Sequence, residues 1–160
     1  MITDYTTYDD VRAVLGVSAE DLEDATLALK VYSDYLEGEM EDVDVGLPDT
    51  YADIQLIDTP TSVEARFLRA CSLFATYAVA RHLVGALPLF AAKQNTDGKA
   101  EVQRFDTSYR DTIKSVNEQY GKVRERLIAA MAAVGTTAAA VTPAVYMSVV
   151  SPSYDPVTGV

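Results

Sequence analysis

A chain of 160 residues, 49% of them hydrophobic, is long enough for one domain around one core and short for more. Its net charge of −11 argues against wrapping nucleic acid, which needs a basic surface to displace counterions from phosphates. The single cysteine, Cys71, excludes an internal disulfide framework, and Met1-Ile-Thr-Asp4 shows neither the basic start nor the apolar run of a secretory leader.

Thr7-Tyr-Asp-Asp10 has capping-box spacing, with Asp10 in place of the preferred Glu. It predicts a helix of about two turns that carries Val11, Val14 and Leu15 and stops at Gly16. Ser18-Ala-Glu-Asp21 repeats the signal. Acidic Glu20, Asp21, Glu23 and Asp24 suit the positive end of a second helix, and Leu22, Ala25, Leu29, Tyr32 and Leu36 step along one face of it. Residues 42–60 read as a connector because Gly46 and Pro48 break regular structure, with Tyr51–Ile57 as a short helical turn or an extended piece.

Thr61-Ser-Val-Glu64 is a full capping box and opens a helix that runs to about Ala86. No charge falls between Ala70 and Ala80, so this helix is expected at the centre of the fold. Phe67, Ala70, Phe74, Tyr77 and Val84 form its core stripe, widened by Leu68, Leu73, Ala80 and Leu83. Leu89–Asp106 is a second connector, with a turn at Asn95-Thr-Asp-Gly98 and a candidate strand at Lys99–Phe105 pairing with Leu89–Lys93.

Asp106 or Thr107 caps the last long helix. Tyr109, Ile113, Val116, Tyr120, Val123, Leu127, Met131 and Val134 hold helical spacing against a charged face of Arg110, Lys114, Glu118, Lys122 and Glu125. Gly135 is expected to stop it. The fold class that follows is mainly α: a small bundle of three long helices plus a short N-terminal helix, with an extended C-terminal arm. The bundle domain takes residues 1–134 and the arm residues 135–160.

From Leu127 to Tyr154 no residue is charged. A membrane span needs ~20 apolar residues in a row; the only competitor, Leu127–Val150, is interrupted by Gly135, Thr136, Thr137, Thr142 and Pro143, and no membrane span is expected. The arm is too apolar for a solvated tail and too irregular for a core helix, so it calls for a surface to lie on. The expected surface is another chain, with Val141, Val145, Tyr146, Met147, Val149 and Tyr154 as anchors. Tyrosine suits such half-wet contacts, and the chain has ten. Packing of the arm back onto its own bundle is the competing arrangement.

Charge is unevenly spread. Residues 1–60 hold 16 acidic and 2 basic side chains, residues 61–134 hold 7 and 11, and the remainder holds only Asp155. Acidic Glu39, Glu41, Asp42 and Asp44 and basic Arg66, Arg69 and Arg81 are candidates for pairing between copies of the chain; pairing within one chain, and snorkelling of the arginines off a core helix, are the other readings. No catalytic residue, metal site or cofactor motif is legible. His82 is the lone histidine, Cys71 lies on an apolar helix, and no phosphate loop or nucleophile elbow occurs. An enzyme is therefore not expected.

The segment Tyr8-x-x-Val11-Arg12-x-x-Leu15-Gly16-Val17 leads into Ser18-x-x-Asp21-Leu22, and the chain closes on Ser151-Pro-Ser-Tyr-Asp-Pro-Val-Thr-Gly159. With the acidic connector, the two long helices and the apolar arm, this resembles the head–tail adaptor (connector) proteins of tailed bacteriophages. The resemblance implies a non-enzymatic helical subunit of a homo-oligomeric ring, twelve-membered in that family, beneath the portal protein. It also implies a downstream neck or tail protein as second partner, DNA passing through the lumen without sequence-specific binding, and a place in the virion neck after synthesis in the host cytoplasm. An acidic lumen would repel phosphates and let DNA slide. A small bacterial regulatory or scaffold-binding helical module is the alternative, with the arm folded in cis.

Overall fold

The structure is a computed structural model and describes residues 1–87, 94–96, 101–103 and 109–140, with side chains over 1–87 and 110–135. It is mainly helical. After a 3-10 turn at Ile2–Asp4, helix α1 spans Tyr8–Leu15. Thr7 caps it as expected: its Oγ1 accepts from the Asp10 N–H at 3.1 Å. Gly16 ends it at φ 69°, a left-handed conformation that a side chain would strain.

The second helix is not continuous. Ser18 and Asp21 make a single turn, with the Ser18 Oγ donating to Asp21 Oδ2 at 2.7 Å. Helix α2 then covers only Asp24–Leu27, and α3 covers Lys30–Glu41. Two physical reasons account for the breaks. Arg12 Nε donates to the Leu22 carbonyl at 2.8 Å, which removes an acceptor that a straight helix would use. Leu27 and Leu36 are also both fully buried, although on one straight helix they would point roughly 180° apart. Breaking at Leu29 turns both inward and leaves Leu29 itself exposed, contrary to its expected core place.

The connector at 42–60 contains a further helix, α4, at Leu47–Gln55. Pro48 does not break it, because it stands in the first turn, where a missing N–H is harmless. Leu47, Tyr51 and Ile54 are buried, and the Tyr51 hydroxyl donates to the Asp4 carbonyl at 2.9 Å.

Helix α5, Ser62–Val84, starts at the expected capping box, with Glu64 N–H to Thr61 Oγ1 at 3.3 Å and Thr61 N–H to Glu64 Oε2 at 2.6 Å. It is central: α1, α3, α4 and the last helix all pack on it. Phe67, Phe74, Val79 and Leu83 are buried with Ala75, Ala78 and Ala80 between them, so neighbouring helices approach closely. Leu73, expected in the core, is 46% exposed. A short antiparallel hairpin joins Gln94–Thr96 to Glu101–Gln103. Its second strand falls within the expected Lys99–Phe105, but the partner is Gln94–Thr96 instead of the expected 89–93, so Asn95 and Thr96 of the expected turn are strand residues.

Helix α6 runs from Tyr109 to Ala140 and packs against α5. Of its expected core stripe, Val116, Val123 and Leu127 are buried and Ile113, Tyr120, Met131 and Val134 pack partly buried against the core; Ala130 is buried as well, and the charged face is exposed. Gly135 does not stop it. An interior glycine costs about 1 kcal/mol, and the alanine-rich turns around it sustain the helix. An arm therefore begins no earlier than residue 141. Residues 141–160, with Val141, Val145, Tyr146, Met147, Val149 and Tyr154, lie outside the described residues.

One continuous core holds these helices. Two polar fixtures are set into it. Arg12, 5% exposed, joins α1 to the break before α2 by pairing with Asp9 at 2.9 Å and with Asp24. Thr6 and Thr76 share a buried hydrogen bond of 2.6 Å. Because the Thr76 hydroxyl already donates to the Ser72 carbonyl at 2.9 Å, it is Thr6 that donates to Thr76. No described helix is long and apolar enough to cross a membrane.

Candidate functional site

The seven residues expected to pair between copies divide into three groups. Arg81 and Glu39 form the first, and they meet within one chain. Arg81 Nη1 stands 3.5 Å from Glu39 Oε1, and its Nε donates to Asn117 Oδ1 at 3.2 Å. Its guanidinium lies over the Tyr120 ring, 4.5 Å from the centroid. The Tyr120 hydroxyl donates to Glu39. Burial, reinforced by the Glu39 carboxylate, pushes both Tyr120 and Tyr35 up to about 12. This junction ties α3 to α5 and α6, and in it Arg81 and Glu39 pair with each other within one chain.

Arg66 and Arg69 behave differently. Both are exposed, and with Arg126 from α6 they line an open groove of about 350 Å³ whose other walls are Ala70, Leu73 and Val123. None of the three arginines is paired with a carboxylate among the described residues. Like charges repel by roughly 1 kcal/mol at 4 Å in water, so gathering three cations around one concavity favours an anionic visitor. Arg126 and Leu73 escape a reading by sequence. Arg126 looks like one more cation on a charged helix, yet it lies three residues after the core residue Val123 and hence beside the α5 seam.

The third group, Glu41, Asp42 and Asp44, lies at the end of α3 and in the loop to α4, all exposed. Asp44 Oδ1 accepts from the Gly46 N–H at 2.8 Å, an Asx turn that fixes this loop. Its tip is Val45, 82% exposed. The Asp42 carbonyl faces Arg124, with the Nη2 donor at 3.5 Å.

Cys71 and His82 form no catalytic pair. They are eleven positions apart on α5, roughly 16 Å along its axis. Cys71 is fully buried, which pushes its thiol up to about 12. His82 stacks on Tyr35 at 4.2 Å between ring centroids and meets Tyr32 edge-on at 5.6 Å. No group of side chains among the described residues has the makings of a metal site.

No protein-family model matches the chain, and no curated protein or solved structure is significantly similar to it.

Proposed function

We propose that this chain is a structural head-to-tail adaptor of a tailed phage: a subunit that closes into a ring beneath the portal, joins capsid to tail and leaves a passage for DNA. A ring of identical copies needs two unlike, complementary patches on every subunit. The observation that carries the reading is the arginine groove, without a carboxylate partner among the described residues, on a molecule whose first 60 residues are strongly acidic. The sequence resemblance to connector proteins supports the same reading, and so does the helical framework. In it the uncharged C-terminal residues act as the portal-docking arm through Val141, Val145, Tyr146, Met147, Val149 and Tyr154.

Co-expression with the portal protein of the same virion, followed by mass photometry and electron microscopy, tests the proposal. Rings on the portal are the expected result, and a chain that stays monomeric beside assembled portal refutes it. A chain lacking residues 141–160 keeps its helical circular dichroism and loses portal docking. Normal docking by that shortened chain removes the arm from the proposal.

A further inference from the structure

The groove and the acidic loop complement one another in detail. The groove offers three guanidinium groups around an apolar floor of Ala70, Leu73 and Val123. The loop at residues 41–45 offers the carboxylates of Glu41, Asp42 and Asp44 around an exposed apolar tip, Val45, and the Asx turn at Asp44 holds it in shape before any partner arrives. Arginine forks match carboxylates bidentately, and a small apolar plug excludes water from their midst.

The two cannot meet within one chain. The Asp42 carbonyl faces Arg124, whereas the groove takes Arg126, which projects roughly 160° further round the α6 axis. Loop and groove thus lie on different sides of α6. A contact between unlike patches on different sides of a subunit is heterologous, and it repeats from copy to copy.

We infer that the acidic loop of one copy seats in the arginine groove of the next, with carboxylates on Arg66, Arg69 and Arg126 and Val45 against Ala70, Leu73 and Val123. This deepens the adaptor reading and rests on it, since it supplies the lateral contact of the ring. Exposed ion pairs are individually weak, so the contact is weak between two isolated copies and strong when ring closure repeats it.

The test places Val45→Cys and Leu73→Cys in one full-length chain and oxidises it with diamide. Species larger than dimer are expected on a non-reducing gel, whereas the parent chain and each single variant stop at dimer or below. Adding Arg69→Glu reduces the ladder at least tenfold, and combining Arg69→Glu with Asp44→Lys restores it. A double variant with no species above dimer overturns the inference, as does a ladder indifferent to Arg69→Glu. If Arg69→Glu instead abolishes retention on heparin and leaves the ladder unchanged, the groove is a polyanion site and the inference is equally overturned. Rings on portal without the Val45–Leu73 cross-link sink this contact and leave the adaptor reading standing. A ladder without rings on portal does the reverse.

Discussion

Arg81 on α5 reaches Glu39 on α3 across 3.5 Å, and the same guanidinium covers Tyr120 on α6. Three helices are thereby pinned at one point. Glu39 is the more deeply set partner, its side chain 16% exposed against 39% for Arg81. Arg81→Ala should lower stability by about 1–2 kcal/mol, through the lost stacking and a half-buried carboxylate left with fewer partners. Arg81→Lys should recover less than half, because an ammonium cannot stack flat and hold Asn117 at once. Urea midpoints of the three proteins check both.

Arg12 is the clip that organises the first thirty residues. Its guanidinium is raised further above its ordinary range, chiefly by the hydrogen bond to Asp24. Arg12→Met keeps the volume and removes the charge, the pairs to Asp9 and Asp24, and the partner of the Leu22 carbonyl. A loss of about 1–3 kcal/mol is expected. Hydrogen exchange should accelerate first over residues 18–29, where no continuous helix substitutes for the clip.

Alkaline pH should weaken the junction between α3 and α6. Tyr35 and Tyr120 keep their protons in the folded chain up to about 12, while an unfolded tyrosine releases its proton near 10.0. Below 10.0 both states are protonated and the contribution is intact. Between 10.0 and about 12 the unfolded state binds fewer protons, so stability falls as pH rises. Tyrosinate absorbance should show late-titrating groups, and Tyr120→Phe should remove one of them.

Gly121 and Gly135 both lie inside α6, with nothing within 4 Å of where a Cβ would stand. Gly121→Ala and Gly135→Ala should each raise stability by about 0.5–1 kcal/mol. A helix that ended at Gly135 in a left-handed turn would be destabilised by the second change instead. Thermal unfolding of the two variants separates these outcomes.

Cys71 reports on the whole core. Its thiol is buried and held protonated, so a thiol-reactive dye should label the native protein only at the rate of core opening. Labelling should rise sharply through the urea transition that circular dichroism follows.

Much of this architecture is legible in the sequence. Local signals that depend on a few neighbours transfer directly: Thr7 with Asp10, Gly16, and Thr61 with Glu64 mark helix ends where the structure has them. The long stripes of α5 and α6 transfer too, because many residues vote for one face. What does not transfer is decided at a distance. The breaks around α2 follow from Arg12 capturing a carbonyl ten residues away and from Leu27 and Leu36 competing for one core. Pro48 and Gly135 carry opposite meanings in different helical positions, and neither position is visible from the residue alone. The groove needed Arg126 to be brought beside Arg66 and Arg69, a juxtaposition that only the pairing of α5 with α6 creates.

Thr6 and Thr76 have an evolutionary corollary. A valine at Thr76 alone strands the Thr6 hydroxyl in an oily setting, whereas a valine at Thr6 alone leaves the Thr76 hydroxyl bonded to the Ser72 carbonyl. Lineages should therefore lose the Thr76 hydroxyl only together with, or after, that of Thr6, and the waist of the longest buried rod will wait on the start of the polypeptide.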